Sequence, residues 1–257
     1  MKRAVLICCS YYLESYRDSL DGCISDMYNM YYLLDSFGFY IKIVTDIPID
    51  NDFDITQKHK AFIKKKYKQN RYLNISTLSD VINWLLYADN MFLYFTGHAN
   101  KQKLHISENI NFSFPFNKMK SEQSIFIILD TCNAPSLNLP LQYVKNKWIS
   151  NKDHVDISTY NNKNITLLCS SSNKSYSHST EGSILTRCWN IVMKDSNTCV
   201  YRNIVNILSI LCDKMQNECN EGDLTFTTPR LYSTYRYDKF PLWVYTKTDK
   251  DNMIFYI

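Results

Sequence analysis

Glycine is scarce in this chain: five residues in 257, at positions 22, 38, 97, 182 and 222, none close to another, where soluble proteins average about 7%. Phosphate-cradling loops and dinucleotide-binding turns need clustered glycines so that the backbone can approach phosphate, and both are excluded. Proline-rich linkers, internal repeats and low-complexity tracts are missing as well, which favours one domain. No apolar run approaches the roughly 18 residues of a membrane span, and Ala4 to Cys9 is too short for the apolar core of a secretory leader. The motifs C-x-x-C and H-E-x-x-H are absent and the five histidines are scattered, so no metal-ligand signature exists. Charge is nearly balanced, 29 basic against 25 acidic side chains for a net of +4. Such a balance gives no reason to expect a nucleic-acid or membrane partner.

What is present is an ordinary globular composition, 45% apolar and 21% charged, in a chain long enough to bury about 75% of its unfolded surface in one core. Nine cysteines is an odd number, and Cys8, Cys9, Cys169 and Cys212 lie inside apolar stretches where small thiols pack well. A reducing, cytoplasmic setting and a soluble, unexported protein follow as the expectation. Cys188, Cys199 and Cys219 read as structural in the same way.

Arg3 to Ser10 is a continuous apolar run of strand length, suited to a strand covered on both faces. Ile24, Met27, Met30, Tyr31 and Leu34 recur at helical spacing from Ile24 to Phe37, and Gly38 supplies a stop. Tyr40 to Thr45 alternates and is rich in β-branched residues. Strand, helix, strand is the unit of a parallel sheet, so an α/β fold is predicted, with a mainly parallel central sheet and helices on both faces. Further strands are predicted at Met91 to Phe95, Ile125 to Leu129 and Ile165 to Cys169, with short late ones at Leu224 to Phe226 and Leu242 to Tyr245. Helices are predicted from Ser183 to Met193 and from Tyr201 to Met215. Thr77 followed by Asp80 resembles a capping box for a helix through Val81, Ile82, Leu85 and Leu86. The lysine-rich run from 58 to 72 reads as a solvated loop or helix face; the tyrosines among its lysines allow a nucleic-acid patch only weakly.

Two of the predicted strands deliver reactive groups at their carboxyl ends, His98 after one and Cys132 after the other, and that edge is where ligands bind in open α/β sheets. A histidine can act as base for a neighbouring thiol, and the amides of Ala99 and Cys132 can converge on an oxyanion. A buried thiol and a hydrogen-bonded histidine at strand ends are equally ordinary structural residues. Spacing alone leaves both readings open.

The segments Lys2-Arg3-Ala4-Val5-Leu6-Ile7 with Tyr11-Tyr12, Leu20 to Asp26, Tyr94-Phe95-Thr96-Gly97-His98-Ala99 and Leu129-Asp130-Thr131-Cys132 resemble the metacaspases in order and spacing. Leu168 to Asn173, Ser179-Thr180, Gly182 to Thr186 and Thr228 to Ser233 continue the resemblance over nearly the whole chain. It is similar to a type I catalytic domain without a pro-domain. The resemblance implies the caspase-haemoglobinase fold, with a large-subunit-like part over about 1–145 and a small-subunit-like part over about 160–257. It implies a cysteine endopeptidase in which His98 is general base and Cys132 nucleophile. The family's pocket for a basic side chain maps onto Cys23, Asp26, Thr96 and Asp130, so the implied partners are protein or peptide substrates with Arg or Lys before the cut. Asp specificity is not expected, because this chain has Asp-Thr-Cys where caspases carry Gln-Ala-Cys. A monomer is expected.

The chain also departs from the family. Ala99 replaces the glycine after the histidine, keeping the amide while restricting the backbone, and Asn133-Ala134-Pro135 replaces His-Ser-Gly after the cysteine. Asn138 stands at an expected calcium-ligand Asp, and Lys101 to Phe116 holds one acid, Glu108. No cofactor, no metal and no calcium dependence are expected. The altered loop leaves a second reading, a weak or inactive caspase-like module that regulates by binding protein. Lys145, Lys147 and Lys152 are expected in a polar connection open to self-cleavage.

Overall fold

The apolar runs read from the sequence become the parallel centre of one sheet. The structure is a computed structural model, and it describes residues 1–10, 22–49, 56–99, 104–107, 110–131, 134–151, 160, 163–170, 182–195, 204–221 and 228–234. Five strands are β1 (Lys2–Cys8), β2 (Tyr40–Thr45), β3 (Tyr72–Asn74), β4 (Asn90–Thr96) and the hairpin strand β5 (Leu104–Ser107). They are followed by β6 (Ile110–Phe112), β7 (Ser124–Asp130), β8 (Leu141–Val144), β9 (Lys147–Ser150), β10 (Asn164–Cys169) and β11 (Arg230–Ser233). The main sheet runs β3-β2-β1-β4-β7-β10-β11-β8-β9. From β3 to β10 every pair is parallel; β11, β8 and β9 are then added antiparallel. Strands β5 and β6 form a separate hairpin.

Among the described residues five helices cover the faces. Helices α1 (Gly22–Ser36), α4 (Ile184–Lys194) and α5 (Ile204–Glu221) share a core with one face of the sheet, through residues such as Met27, Tyr31, Trp189, Ile207 and Leu211. Helix α2 (Gln57–Lys68) adds Phe62 and Ile63 to that core. Helix α3 (Leu78–Leu85) packs Val81, Ile82 and Leu85 on the opposite face, beside Leu104, Ile106 and Phe116. A strand buried on both faces has to be apolar through its length between the ends, and residues 4–8 of β1, 91–95 of β4 and 125–129 of β7 are. All five residues of the predicted α1 stripe are buried, and Gly38 ends the helix at φ +74°. That left-handed conformation is open to glycine at little cost.

Several expectations need correction. The Thr77–Asp80 capping box does not form: Thr77 donates its hydroxyl to the Asn74 carbonyl at 2.7 Å and caps no amide of α3. A one-turn 3₁₀ segment at 75–77 precedes α3 and takes up those groups. The lysine run is helix α2, capped by Thr56, whose hydroxyl accepts from the His59 amide at 3.3 Å. Lys66 is not solvated but buried, with Nζ 3.9 Å from the centre of the Tyr31 ring, so a cation–π contact replaces lost water. Lys145 and Lys147 do not lie in an open connection. They belong to the β8–β9 hairpin, whose turn places Lys145 and Asn146 at φ +48° and +63°, as a tight two-residue turn requires. A protease takes its substrate extended, so a cut here requires the hairpin to open. Lys152, Cys199 and the late strands expected at Leu224 to Phe226 and Leu242 to Tyr245 lie outside the described residues. Among the described residues, no helix is long and apolar enough to cross a membrane.

Candidate active site

Strand register sets the site. Thr96 and Asp130 are partners in the last rung between β4 and β7, and Cys8 is opposite Thr96 across the β1–β4 ladder. Phe92 and Tyr94 on β4, like Phe126 and Ile128 on β7, face the α1 and α4 side. By strand alternation Thr96 and Asp130 end the sheet on that same face. The buried first turn of α1 brings Cys23 and Asp26 against them. Thr96 donates to Cys23 Sγ at 3.2 Å. The four residues expected to line one pocket are thus gathered at one point, with Asp26 only 2% and Asp130 8% exposed.

The second half of the chain closes this point, through residues that sequence reading left without a role. Ser183 is the N-cap of α4: its hydroxyl accepts from the Thr186 amide at 3.0 Å and donates to Asp130 Oδ2. Thr186 Oγ1 donates to the same oxygen at 2.6 Å, and the Tyr94 hydroxyl lies 2.7 Å from Thr186 Oγ1 and 3.3 Å from Asp130 Oδ2. Asp26 Oδ1 accepts from the Ser183 amide at 2.8 Å. Gly182 makes that approach possible. A Cβ built there would sit 2.2 Å from Asp26 Oδ1, on a backbone at φ +94°. The only sequence signal for these contacts was a serine in front of a helical pattern, because the partners are 157 residues apart for Ser183 and Asp26.

Burial pushes Asp26 well above the usual carboxylate range, and the charge of Asp130 adds to this; the Ser183 amide, Arg187 and Thr96 act in the opposite direction. Burial also raises Asp130, against the bonds from Ser183, Thr186 and Tyr94. Two carboxylates this close in a low-dielectric site cannot both be comfortably charged without a cation.

Past Thr96 the chain turns at Gly97, where a Cβ would lie 2.6 Å from the Cys9 carbonyl oxygen at a φ of +152°. Only glycine lets the end of β4 pass β1 so closely, and His98 follows at once. His98 is half-buried, and its carbonyl accepts from the His105 amide at 3.0 Å. Ala99 is bridged to Leu104, but the bond from His105 does not engage the Ala99 amide. Ala99 is not at positive φ, so the expected restriction relative to glycine has no cost here.

Cys132 and Asn133 lie outside the described residues, but the residue on each side is anchored. Ser170, just past β10, accepts from the Thr131 amide at 2.9 Å and donates to the Thr131 carbonyl at 2.6 Å. Arg230 on β11 donates to the Ala134 carbonyl at 2.7 Å. Both anchors come from the second half of the chain, one just before Cys132 and the other at Ala134 inside the altered Asn133-Ala134-Pro135 segment. Losing one bond of this kind costs about 1 kcal/mol of stability, so Ser170→Ala should lower the melting temperature by a few degrees, read from a melting curve.

The described cysteines outside the pocket are unreactive by environment. Burial raises Cys9 well above the normal thiol range, and contact with Cys23 together with burial does so for Cys8; Cys169 and Cys188 are pushed up to about 12 by burial. Every described cysteine is a free thiol. Among the described residues no group of three His, Cys, Asp or Glu side chains is placed to hold a metal.

Residues 2–140 match the family described as metacaspase, peptidase C14 domain. No curated protein sequence matches the chain. Among solved structures, the chain is similar to caspase-1 from Spodoptera frugiperda, at TM-score 0.57 and 13% identity over 91% of this chain and 86% of that one. The structure of pro-sf-caspase-1 gives TM-score 0.54 and 11% identity, covering 91% of this chain and 87% of that one. At these identities the likeness shows the caspase fold: a mostly parallel sheet with helices on both faces.

Proposed function

Because the chain belongs to the metacaspases, a family of C14 cysteine peptidases, we propose that it is an endopeptidase that cuts after Arg or Lys with Cys132 as nucleophile and His98 as base. The observation that carries this reading is the convergence of Asp26 and Asp130 at the tips of β4 and β7. Thr96 and Asp130 each stand two residues before a member of the proposed dyad, and partners across this ladder differ by a constant 34, from Asn90–Ser124 to Thr96–Asp130. The same offset relates 98 to 132. This sequence offset supports a dyad next to the pocket, to which a bound basic side chain would present the following peptide bond.

In this mechanism His98 takes the Cys132 proton and the thiolate attacks the carbonyl carbon of the basic residue. The amides of Ala99 and Cys132 stabilise the oxyanion; removing one such donor costs about 3 kcal/mol. His98 then protonates the leaving amine, and water, activated by the same imidazole, releases the acyl group. The pocket selects by charge, since Arg or Lys pairs with the carboxylates whereas an acidic side chain is repelled by them. Arg should outrank Lys because its planar fork engages both carboxylates at once.

The test is a fluorogenic peptide panel varied at the residue before the cut, run on the wild type and on Cys132→Ala. Cleavage confined to Arg and Lys peptides and lost in the variant is expected; binding of those peptides without turnover would instead favour the regulatory module. Calcium should matter little. A hard divalent cation needs several oxygen ligands, with more than one carboxylate as a rule. Asn138 is exposed and uncharged, and Glu108 is the single acid between 101 and 116. Rates in chelator and in millimolar calcium should agree within about twofold, and a large saturable stimulation would refute the expectation.

A further inference from the structure

The donors around the two pocket acids are unequally shared. Asp130 Oδ2 collects the hydroxyl hydrogens of Ser183 and Thr186. Ser183 has no other use for its hydrogen, because its oxygen is already the acceptor for the Thr186 amide. Thr186 has one hydrogen, so the short contact between Tyr94 and Thr186 must be donated by Tyr94. Every hydrogen in this chain points toward Asp130, the arrangement an ionised, acceptor-only carboxylate requires. Asp26 is placed differently. Its Oδ1 accepts one backbone amide, from Ser183. Thr96 directs its hydroxyl hydrogen to Cys23 Sγ at 3.2 Å, so Asp26 gains less from hydroxyl donors than Asp130 does.

We propose that the two pocket acids are unlike before substrate arrives: Asp130 is the standing carboxylate, and Asp26 holds a proton that it releases to solvent when a basic side chain enters. This deepens the proposed function and rests on it for the identity of the ligand. The charge balance is simple. The empty pocket carries −1 from Asp130. With a guanidinium or ammonium bound and the Asp26 proton gone to water, it carries two carboxylates and one cation, again −1. The buried site never holds two uncompensated charges, which would be costly at this depth. The groups facing Asp26 agree with the assignment. Burial and Asp130 from β7 disfavour a second negative charge, and Tyr94 from β4 is held neutral, its pKa raised by burial and by both acids. Arg187 of α4 favours the second charge, but its guanidinium is shared with Glu218 of α5 at 3.4 Å. Cys23 on α1 accepts from Thr96. In this scheme Ser183 and Thr186 are positioning residues that set which acid keeps the proton.

Three measurements decide it. The infrared spectrum of the unliganded protein at neutral pH should show the carbonyl stretch of one protonated buried carboxyl, lost in Asp26→Asn and kept in Asp130→Asn. A tripeptide ending in arginine, titrated into Cys132→Ala, should release close to one proton, read by calorimetry in two buffers of different ionisation heat; Asp26→Asn in that background should release none. For the active enzyme, KM for an Arg peptide should rise as pH falls, about tenfold per pH unit below the point where Asp26 ionises. Thr186→Val should move that rise to higher pH by weakening the donors to Asp130, with Thr186→Ser restoring it. A missing band, a band that survives in Asp26→Asn, or binding without proton release overturns the proposal. Because the infrared result needs no substrate, a chain that ignores basic peptides yet shows the band would refute the specificity and leave the proton assignment standing.

Discussion

Cys132→Ala should lower kcat for Arg-ended peptides by roughly four to six orders of magnitude, the loss seen when a member of a nucleophile–base unit is removed. His98→Ala should cost a similar amount, and the double variant little more than either single one, because each residue is useless without the other. Among the described residues no second thiol is placed to take over. Apart from Cys23 and the half-buried Cys212 the described cysteines are buried, and burial raises Cys9, Cys169, Cys188 and Cys212 above the normal thiol range. Cys23 sits under Thr96 as part of the pocket wall. Rates should be measured with active-site titration so that traces of wild-type enzyme are not counted. Hydrolysis by Cys132→Ala at the wild-type rate would remove the nucleophile assignment, and multiplicative losses in the double variant would show that Cys132 and His98 do not act together.

The parts of the fold that were legible in the sequence are those where one periodicity dominated. Strands β1, β4 and β7 announce themselves because the doubly covered middle of a parallel strand has no polar positions to blur the run, β2 and β10 because β-branched and apolar residues dominate them, and α1 because all five of its stripe residues face the core. The β8–β9 hairpin was not legible. Its turn is Lys145-Asn146, with no glycine to signal left-handed backbone, and its strands are mostly half-exposed, so neither an apolar run nor a clean alternation marks them. Strand β3 has three residues, too few for any period to show.

At the site, Cys23, Asp26, Thr96 and Asp130 were found through resemblance, and parallel register explains why Thr96 and Asp130 meet. Gly182, Ser183 and Thr186 fall within the resembling segments, which imply no role for them. Their importance lies in contacts between α4 and the far end of the sheet, which no local pattern encodes. The family match ends at residue 140, yet the pocket depends on residues beyond 180 and the cysteine loop on Ser170 and Arg230. The second half of the chain is therefore a working part of the site rather than a cover for the sheet.

That dependence gives the sharpest expectation for specificity. Gly182→Ala removes no charge and no hydrogen-bonding group, but its methyl would occupy the place of Asp26 Oδ1, 2.2 Å away, on a backbone at φ +94° that L side chains rarely adopt. Either Asp26 or the start of α4 has to move, and with it the Ser183 bonds to both acids. A charge-assisted bond is worth about 1.5 to 3 kcal/mol, so kcat/KM on Arg peptides should fall by roughly ten- to a hundredfold. Asp26→Ala should cost about the same by removing the carboxylate outright. Asp130→Ala should cost more, since it strands the hydroxyls of Ser183 and Thr186 as well as losing the charge. In a positional peptide library all three variants should lose the preference for Arg before the cut, while the weak turnover of uncharged peptides falls less. A wild-type preference for Asp at that position, or a Gly182→Ala enzyme that keeps full discrimination for Arg, would dissolve the pocket even if the dyad stood, because a methyl at 182 cannot coexist with Asp26 Oδ1 where it now lies.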